Sequence, residues 1–398
     1  MSRTGIEPPR LGEPWLLTPG PLSTAYEVKV AMLRDWGSWD DDFRAMTYEL
    51  RTRLVRMLGD GYEAYTCVPM QGSGSFAVES MLGTLVPRGG RALVLANGAY
   101  GKRAAETLRI MGRSHVVLDK GDFLPPRGYE VARMLADDPA ITHVLVVHCE
   151  TSSGVLNPLE EIADAVAHAG CRLLIDAMSS FGAIPIPPGR IAFDALVSSA
   201  NKCIEGVPGF GFLLVRQDAL LRCEGNAHSL SLDAYAQWAT LEKTGQWRFT
   251  PPTHAVAAFL EALRLHEAEG GVEGRGARYR ANRDALVSGM RGLGFETLLD
   301  TRWLSPIITT FFCPADPHFV FDRFYALMKR RGFIIYPGKL TEVDSFRLGC
   351  IGQVDVPVMN RLLEAVVDTL HDLGVRNPAP PAAAITKRAL LDETEVAA

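Results

Sequence analysis

Short apolar runs alternate with helix-length stretches between about residues 75 and 216 of the chain. The runs lack the polar alternation of a half-exposed strand, and this pattern is typical of strands that are buried on both faces of a sheet between helices. We therefore predict an α/β core with a mostly parallel sheet. The predicted strands are RALVLANG, SHVVLDKG, HVLVVHCE, CRLLIDAM, FDALVSSA and GFGFLLVR.

A helix is predicted after this core, where Val256, Phe259 and Leu263 recur at helical spacing and Gly270 and Gly271 give a stop signal. We expect this helix to leave the first lobe. Alternating helix-like and strand-like patterns then predict a smaller α/β lobe. The predicted division is an N-terminal arm over residues 1–24 that packs with one lobe, a large domain over 25–255, linking helices with a small C-terminal domain over 256–375, and a mobile Pro- and Ala-rich tail over 376–398.

Composition and charge narrow the possible functions. No apolar run approaches the ~18 residues of a membrane span, and the N-terminus lacks the apolar core of a secretion signal, so we expect a cytoplasmic protein with no membrane partner. The net charge of -5 is spread along the chain, whereas a nucleic-acid surface needs clustered Lys and Arg. The seven cysteines form no CxxC pair or zinc-like spacing, which predicts free thiols and no metal site. Small-molecule chemistry is favoured.

Three predicted strands end in groups that can carry chemistry. HVLVVHCE ends at Glu150 before the hydroxyl-rich TSSG, CRLLIDAM carries Asp176, and FDALVSSA leads to Lys202. Because ligands bind outside the carboxyl ends of the strands in an open α/β sheet, we expect these groups at one edge. A partly desolvated lysine amine can attack a carbonyl to form a Schiff base. Pyridoxal phosphate uses such a lysine, with a carboxylate beside its ring nitrogen.

The segment MQGSGSFAVESMLG adds a candidate phosphate cradle. Ser73, Gly74 and Ser75 precede a helical pattern whose first N–H groups would face an anion. Each feature alone is commonly structural, because a lysine after an apolar run is usually a solvated strand end and an aspartate there usually caps a helix or turn. Their occurrence together, in sheet order, favours a cofactor site.

Residues 15 to 370 resemble the fold-type I, class V aminotransferases, which depend on pyridoxal 5'-phosphate. The likeness rests on segments that occur in order: LLTPGPLST, GSGSFAVES, NGAYGKR, HCETSSGVLNP, DAMSSFGAIP, SSANKCIEGVPGFGF, FTPPTHAVAAF, SPIITTFF, RGFIIYPGKLT and FRLGCIG. The resemblance implies a large domain with a mostly parallel sheet, a smaller α/β C-terminal domain, and a homodimer with shared active sites. ETSSG stands where close relatives commonly have a run of threonines, and GSGS replaces a version that ends in Thr. Because Ser keeps the hydroxyl, we expect cofactor binding to survive.

The resemblance assigns roles in cofactor binding to several of these residues. Lys202, in SANK, matches the lysine that holds the cofactor, and Asp176, in DAMSS, matches the partner of the pyridinium nitrogen. Ser73, Gly74 and Ser75 match the phosphate-binding turn. Without the resemblance, each of these residues would also suit an ordinary turn or strand end.

The resemblance also implies roles for residues outside these motifs. Tyr100, in NGAYG, matches the aromatic residue that stacks on the cofactor, although ordinary packing would also explain it. Thr151 looks like the hydroxyl near the cofactor's phenolic oxygen, and Thr250 looks like a phosphate contact from the second subunit. Arg347, in FRLGC, matches the arginine that receives the acidic end of substrates, since its donors suit a phosphonate or a carboxylate. Gly20, in TPGP, matches a position that brings the backbone close to the substrate.

Within the family, the segments are most similar to enzymes that act on 2-aminoethylphosphonate and pyruvate, which implies phosphonoacetaldehyde and L-alanine as products. Another class V activity stays open, either an alanine:glyoxylate or a serine:pyruvate transaminase. A desulfurase would need a mobile thiol, whereas Cys350 lies in an apolar strand pattern. A non-catalytic cofactor-binding protein is disfavoured by the joint presence of Lys202, Asp176 and Arg347. A dehydrogenase is a further alternative, in which the protein would bind a nicotinamide cofactor at GSGS rather than pyridoxal phosphate.

Overall fold

A seven-stranded sheet lies at the centre of the larger lobe, and a three-stranded sheet lies in the smaller one. The computed structural model of the chain describes residues 6, 9, 12–339 and 343–397. The strands are β1 (Trp15–Leu16), β2 (Tyr65–Gln71), β3 (Arg91–Ala96), β4 (Ser114–Asp119), β5 (Ile141–Val147), β6 (Cys149–Glu150), β7 (Val155–Leu156), β8 (Arg172–Asp176), β9 (Ala195–Ser199), β10 (Phe210–Arg216), β11 (Ile308–Phe312), β12 (Phe333–Ile334), β13 (Tyr336–Pro337) and β14 (Ser345–Gly349).

Helices cover both lobes. They are α1 (Tyr26–Val30), α2 (Asp41–Arg56), α3 (Gly74–Leu85), α4 (Ala99–Ile110), α5 (Gly128–Asp137), α6 (Leu159–His168), α7 (Gln217–Leu221), α8 (Ala234–Thr244), α9 (Thr253–Ala268), α10 (Gly271–Gly292), α11 (Phe321–Arg330), α12 (Val356–Leu373) and α13 (Ala382–Ala397), with short 3-10 turns at Ala31–Leu33, Tyr62–Ala64 and Thr301–Trp303. None of the helices in the described part of the chain is long and apolar enough to cross a membrane.

The large sheet has the strand order β2-β10-β9-β8-β5-β3-β4. Strands β9, β8, β5, β3 and β4 run parallel, and β10 is antiparallel to both of its neighbours. The predicted α/β class and mostly parallel sheet are therefore confirmed, and each predicted strand of this lobe is present. Sequence reasoning missed β2. This strand contains Pro69, which the sheet accommodates because β2 lies at an edge.

Strand β5 shows why the apolar runs lack alternation. Val144 and Val146 belong to the hydrophobic core on one face of the sheet, and Leu145 between them belongs to the core on the other face. All three side chains are buried. Helices therefore cover both faces, and the carboxyl ends of the parallel strands are left as the accessible edge where a ligand can bind.

The smaller lobe is built on the antiparallel sheet β11-β14-β13. Its core includes Phe311 of β11, Phe346 of β14 and Met359 of α12. The N-terminal arm packs with this lobe, because Trp15 of β1 pairs in parallel with Phe333 of β12. This confirms the predicted contact for the described part of the arm; residues 1–5, 7, 8, 10 and 11 lie outside the described residues.

The long helices α9 and α10 pack on different lobes: α9 on the larger lobe and the end of α10 on the smaller one. Val256 and Phe259 of α9 are buried in the core of the large sheet, and α9 ends just before Gly270 as its glycine signal predicts. Leu286 and Met290, near the end of α10, belong to the core of the smaller lobe. It is therefore α10 that leaves the larger lobe, rather than the earlier helix, and the boundaries of the domains stay a prediction.

The tail after Asn377 contains α13. Ile385 packs against the core of the smaller lobe. Nη1 of Arg388 donates a hydrogen bond of 2.6 Å to the backbone oxygen of Thr297. The Pro- and Ala-rich pattern of the tail gave no sign of this docked helix, and the mobility predicted for the tail stays a prediction.

Candidate active site

Several elements bring the predicted site residues to one edge of the large sheet. β8 ends at Asp176, and β9 ends shortly before Lys202. The turn with Ser73 follows β2. This strand runs in the same direction as the parallel strands, because β2 and β9 are both antiparallel to β10. The smaller lobe adds Arg347 from β14. The positions of Ser73, Asp176 and Lys202 follow from strands of the large sheet that end at the same edge, whereas that of Arg347 depends on how the smaller lobe packs.

The Lys202 amine lies partly buried against the N-terminal arm. Its Nζ donates a hydrogen bond of 2.8 Å to the backbone oxygen of Pro19. Gly20 leaves the space that the amine occupies, because a Cβ at Gly20 would lie 2.5 Å from Nζ. Burial lowers the pKa of Lys202 to about 8, and the charge of Asp176 only partly opposes this. The amine is thus easier to deprotonate than an ordinary lysine; a contact of Gly20 with substrate stays a prediction.

Asp176 is buried at the end of β8, with 7% of its surface exposed. Its Oδ1 accepts a hydrogen bond of 2.9 Å from the backbone N–H of Met178. Burial raises the pKa of Asp176 to about 6, while the Met178 N–H and the charges of Lys202 and Arg103 oppose the rise. A buried carboxyl with so few partners is suited to bind a cationic N–H group.

The turn from Ser73 to Ser75 forms the start of α3, with Ser73 as its N-cap. The first N–H groups of a helix have no acceptor within the helix. Gly74 packs tightly against Met178, since a Cβ at Gly74 would lie 2.4 Å from the sulfur of Met178. The turn therefore lies beside the residue that bonds Asp176, and its N–H groups and hydroxyls are suited to a phosphate group.

Glu150 fixes the start of α4, where Tyr100 is the second residue. Its Oε2 accepts hydrogen bonds from the backbone N–H of Tyr100 at 3.0 Å and of Gly101 at 3.3 Å. Its Oε1 accepts from the backbone N–H and the hydroxyl of Ser152. Burial raises the pKa of Glu150, although these donors oppose the rise. Sequence reasoning noted Glu150 only as a strand end, so this anchoring function was missed.

Arg347 lies in the centre of β14 and is 3% exposed. Its Nε donates to the backbone oxygen of Pro337 at 2.9 Å, and its Nη1 donates to the backbone oxygen of Thr151 at 2.8 Å. Arg347 therefore connects the smaller lobe to the edge of the large sheet. Its Nη2 takes part in neither of these two hydrogen bonds. Burial lowers the pKa of Arg347.

Thr250 is the predicted site residue that does not join this group. It is exposed just before α9, where its backbone oxygen accepts a hydrogen bond of 3.2 Å from Gln71. The predicted role of Thr250 requires a second subunit, so this role stays a prediction.

Two cations beside Tyr100 were not among the predicted residues. Cζ of Arg103 lies 4.9 Å from the centre of the Tyr100 ring, and Nη1 of Arg103 donates to the hydroxyl of Ser75 at 3.3 Å. Nζ of Lys339 lies 4.6 Å from the same ring centre. The i,i+3 spacing of Tyr100 and Arg103 on one helix could have indicated the first contact. No local pattern connects Lys339 to Tyr100, because that contact joins the two lobes.

This set of groups fits pyridoxal phosphate. The amine of Lys202 has a lowered pKa and can form a covalent bond to an aldehyde. Asp176 supplies a buried carboxyl that lacks a strong partner, and the Ser73–Ser75 turn supplies donors for a phosphate. Arg103 adds a positive charge at the hydroxyl of Ser75.

Comparison with known proteins gives the family. The family model described as "Aminotransferase class-V" matches residues 126–325. A protein of Rhizobium meliloti (strain 1021) named 2-aminoethylphosphonate–pyruvate transaminase is 65% identical over 96% of this chain and 100% of its own length. The chain belongs to the class-V aminotransferase family. A class-V relative of the same name from Pseudomonas aeruginosa (strain PAO1) is 51% identical over 91% of this chain and 97% of its own.

Solved structures give the same fold for this class-V aminotransferase. The pyridoxamine–pyruvate aminotransferase of Mesorhizobium loti has a TM-score of 0.83 at 22% identity, and covers 98% of this chain and 99% of its own. The alanine–glyoxylate aminotransferase of Nostoc sp. also has a TM-score of 0.83 at 22% identity, and covers 92% of this chain and 98% of its own. The expected fold-type I architecture is confirmed.

Proposed function

We propose that this aminotransferase transfers the amino group of 2-aminoethylphosphonate to pyruvate, which yields phosphonoacetaldehyde and L-alanine. The observation that carries the proposal is the joint placement of Lys202, Asp176 and Arg347 in a chain that is 65% identical to a relative named for this reaction. A non-catalytic protein would have no need for an amine and a carboxyl that are both held in poorly paired, buried positions.

Pyridoxal phosphate, when bound, supplies an aldehyde and a ring that can delocalise negative charge from the substrate carbon. Lys202 would hold this cofactor, and Asp176 would bind its ring nitrogen. Because the pKa of Lys202 is lowered to about 8, Nζ can take a proton from the carbon that bears the substrate's amino group and return a proton later. Ser73, Gly74 and Ser75 would hold the phosphate, Tyr100 would pack against the ring, and Thr151 would provide a hydroxyl for the phenolic oxygen.

Arg347 would bind the acidic group of each substrate. Its Nε and Nη1 are held by Pro337 and Thr151, which fixes the plane of the guanidinium. The remaining donors can then serve the phosphonate of one substrate and the carboxylate of pyruvate or alanine in turn.

The proposal includes a cytoplasmic homodimer in which Thr250 contacts the cofactor phosphate of the other subunit. Phe76 follows the phosphate turn and is 52% exposed, and Phe249 precedes Thr250 and is 42% exposed. Trp39 is 74% exposed on the same chain. Large exposed aromatic side chains are typical of surfaces that bind another protein. Sedimentation should give a dimer, and a monomer at micromolar concentration would contradict this part.

The test of the reaction is alanine formation by purified protein with pyridoxal phosphate. We expect alanine and phosphonoacetaldehyde in equal amounts from 2-aminoethylphosphonate and pyruvate, and much slower amination of glyoxylate by alanine or serine. The Lys202→Ala protein is the matched control and should form neither product. Preferred amination of glyoxylate would instead assign the chain to a different activity within the family.

A further inference from the structure

Lys339 follows β13, the strand that is paired with the Arg347 strand. β13 lies beside β14, and Tyr336 is opposite Arg347 in the register. The backbone oxygen of Pro337, two residues before Lys339, accepts the Nε hydrogen bond of Arg347. Nζ of Lys339 then lies 4.6 Å from the centre of the Tyr100 ring. The position of Lys339 is therefore tied to Arg347 on one side and to α4 on the other.

Positive charge at this place exceeds negative charge. Within the described residues, Arg103, Lys339 and Arg347 have no carboxylate at ion-pair distance. Burial and the charges of Arg103 and Arg347 lower the pKa of Lys339, with Glu150 as the opposing charge. The Glu150 carboxylate is itself occupied by the N–H groups of α4 and by Ser152. The three cations are thus available for anions that come with the ligands.

The charges of the ligands match this excess. The cofactor phosphate carries a charge of roughly -1.5 to -2 at neutral pH, and Arg103 already lies at the phosphate turn through Ser75. A phosphonate has the same three oxygens and up to two negative charges, whereas a carboxylate has two oxygens and one charge. One arginine can bind both oxygens of a carboxylate, so a second cation near Arg347 would add more to the binding of a phosphonate.

We propose that Lys339 is the specificity-determining cation that binds the phosphonate of the amino donor together with Arg347 and contributes little to binding of the carboxylate substrates. This inference rests on the proposed function. The same contacts also suit a lysine that only packs over Tyr100, in which case all anions would be affected equally and weakly.

The test compares two inert anions that differ only in the acidic group. Ethylphosphonate and propionate are titrated into holoenzyme by calorimetry, and the kinetics with 2-aminoethylphosphonate and with alanine are measured in parallel. In Lys339→Gln, we expect the Kd of ethylphosphonate to rise about tenfold, the lower end of the range for a hydrogen bond to a charged group. The Kd of propionate should change by less than about threefold. KM for 2-aminoethylphosphonate should rise while kcat with alanine is kept.

Two variants serve as controls. Lys339→Arg keeps the positive charge and should keep most of the preference for the phosphonate. Lys329→Gln removes an exposed lysine at the end of α11 in the same lobe, so it controls for a general change in net charge and should bind both anions as the wild type does. Circular dichroism and the visible absorption of bound cofactor check that each variant is folded and loaded.

The outcomes separate this inference from the proposed function. If wild-type protein forms no alanine from 2-aminoethylphosphonate, the proposed function fails and the inference falls with it. If the wild type does so but Lys339→Gln changes both Kd values by the same factor, the role of Lys339 alone is wrong. A change in phosphonate binding that Lys329→Gln reproduces would also overturn it.

Discussion

Two clusters of buried charge differ in how fully their charges are paired. The first, in the candidate active site, contains Lys202 and Asp176. The second, which we call the Glu205 cluster, contains Glu205, Glu269, Arg275, Arg278 and Tyr279. In the Glu205 cluster, Oε1 of Glu205 accepts from Arg278 at 2.8 Å and from the Tyr279 hydroxyl at 2.6 Å.

The pKa values of the buried carboxyl groups in the two clusters shift in opposite directions. Burial alone would raise the pKa of Glu205, but Arg275 and Arg278 outweigh it and lower this pKa to about 2. In the candidate active site, burial dominates, so the pKa of Asp176 rises to about 6 and that of Lys202 falls to about 8. The paired charges of the Glu205 cluster stabilise the fold. The poorly paired charges of Lys202 and Asp176 lower its stability but can interact with a ligand.

The largest effect should come from Lys202→Ala. Removal of the amine takes away both the attachment of the cofactor and the base, so turnover should fall by at least about 10³-fold. The fold should remain, with a free energy of unfolding within about 1 kcal/mol of wild type, because no strong pair is broken. Alanine formation and chemical denaturation measure the two quantities. Lys329→Ala is the control, and near-normal turnover of Lys202→Ala would contradict the mechanism.

Glu205→Gln should lower the stability of the fold, in contrast to Lys202→Ala, which should lower turnover. The change leaves Arg275 and Arg278 without the buried charge that they surround, which should lower the free energy of unfolding by about 3 kcal/mol. The exposed pair Glu160–Arg190 provides the control, since Glu160→Gln should cost about 0.5 kcal/mol or less. Equal stabilities of the two variants in urea would show that the Glu205 cluster does not stabilise the fold.

Acid should weaken the Glu205 cluster in a defined range of pH. The folded pKa of Glu205 is about 2, below its ordinary value of 4.5. Its contribution, about 3 kcal/mol, is therefore complete above about pH 4.5 and is lost as the pH falls towards 2. Denaturation curves of wild type and Glu205→Gln should converge over this range. A constant difference between the two proteins down to pH 2 would argue against this assignment.

The smallest effect should come from Asp176→Asn in protein without cofactor. The raised pKa of Asp176 means that its charged form is destabilised by burial, so the folded state loses stability as the pH rises from about 4 through 6. The neutral amide should then stabilise the fold at pH 7 by about 1–2 kcal/mol, although activity is lost. Asp368→Asn, on the exposed side of α12, is the control. A less stable Asp176→Asn protein would show that the carboxylate has a strong partner.

The sequence could predict the parts of this site that depend on local order along the chain. Asp176 and Lys202 follow buried strands, and strands that are parallel must end at the same edge. The Ser73 turn precedes a helix, and such a turn is readable from a glycine before a helical pattern. The family resemblance added Arg347, which the structure places at the same edge.

The parts that could not be predicted depend on contacts between distant segments. Lys339 meets Tyr100 only because the two lobes pack together, and Glu205 finds its partners on α10. The antiparallel direction of β10 and the edge strand β2 also follow from the order of strands in the sheet, which no single run of residues encodes.

The pairing of β1 with β12 has a consequence for how the protein is made. Trp15 is translated long before its partner Phe333, because the two residues lie far apart in the sequence. The arm also carries the Pro19 oxygen that holds the Lys202 amine. The larger lobe can therefore begin to fold during translation, but the arm that bonds the Lys202 amine pairs with β12 only after Phe333 has been made.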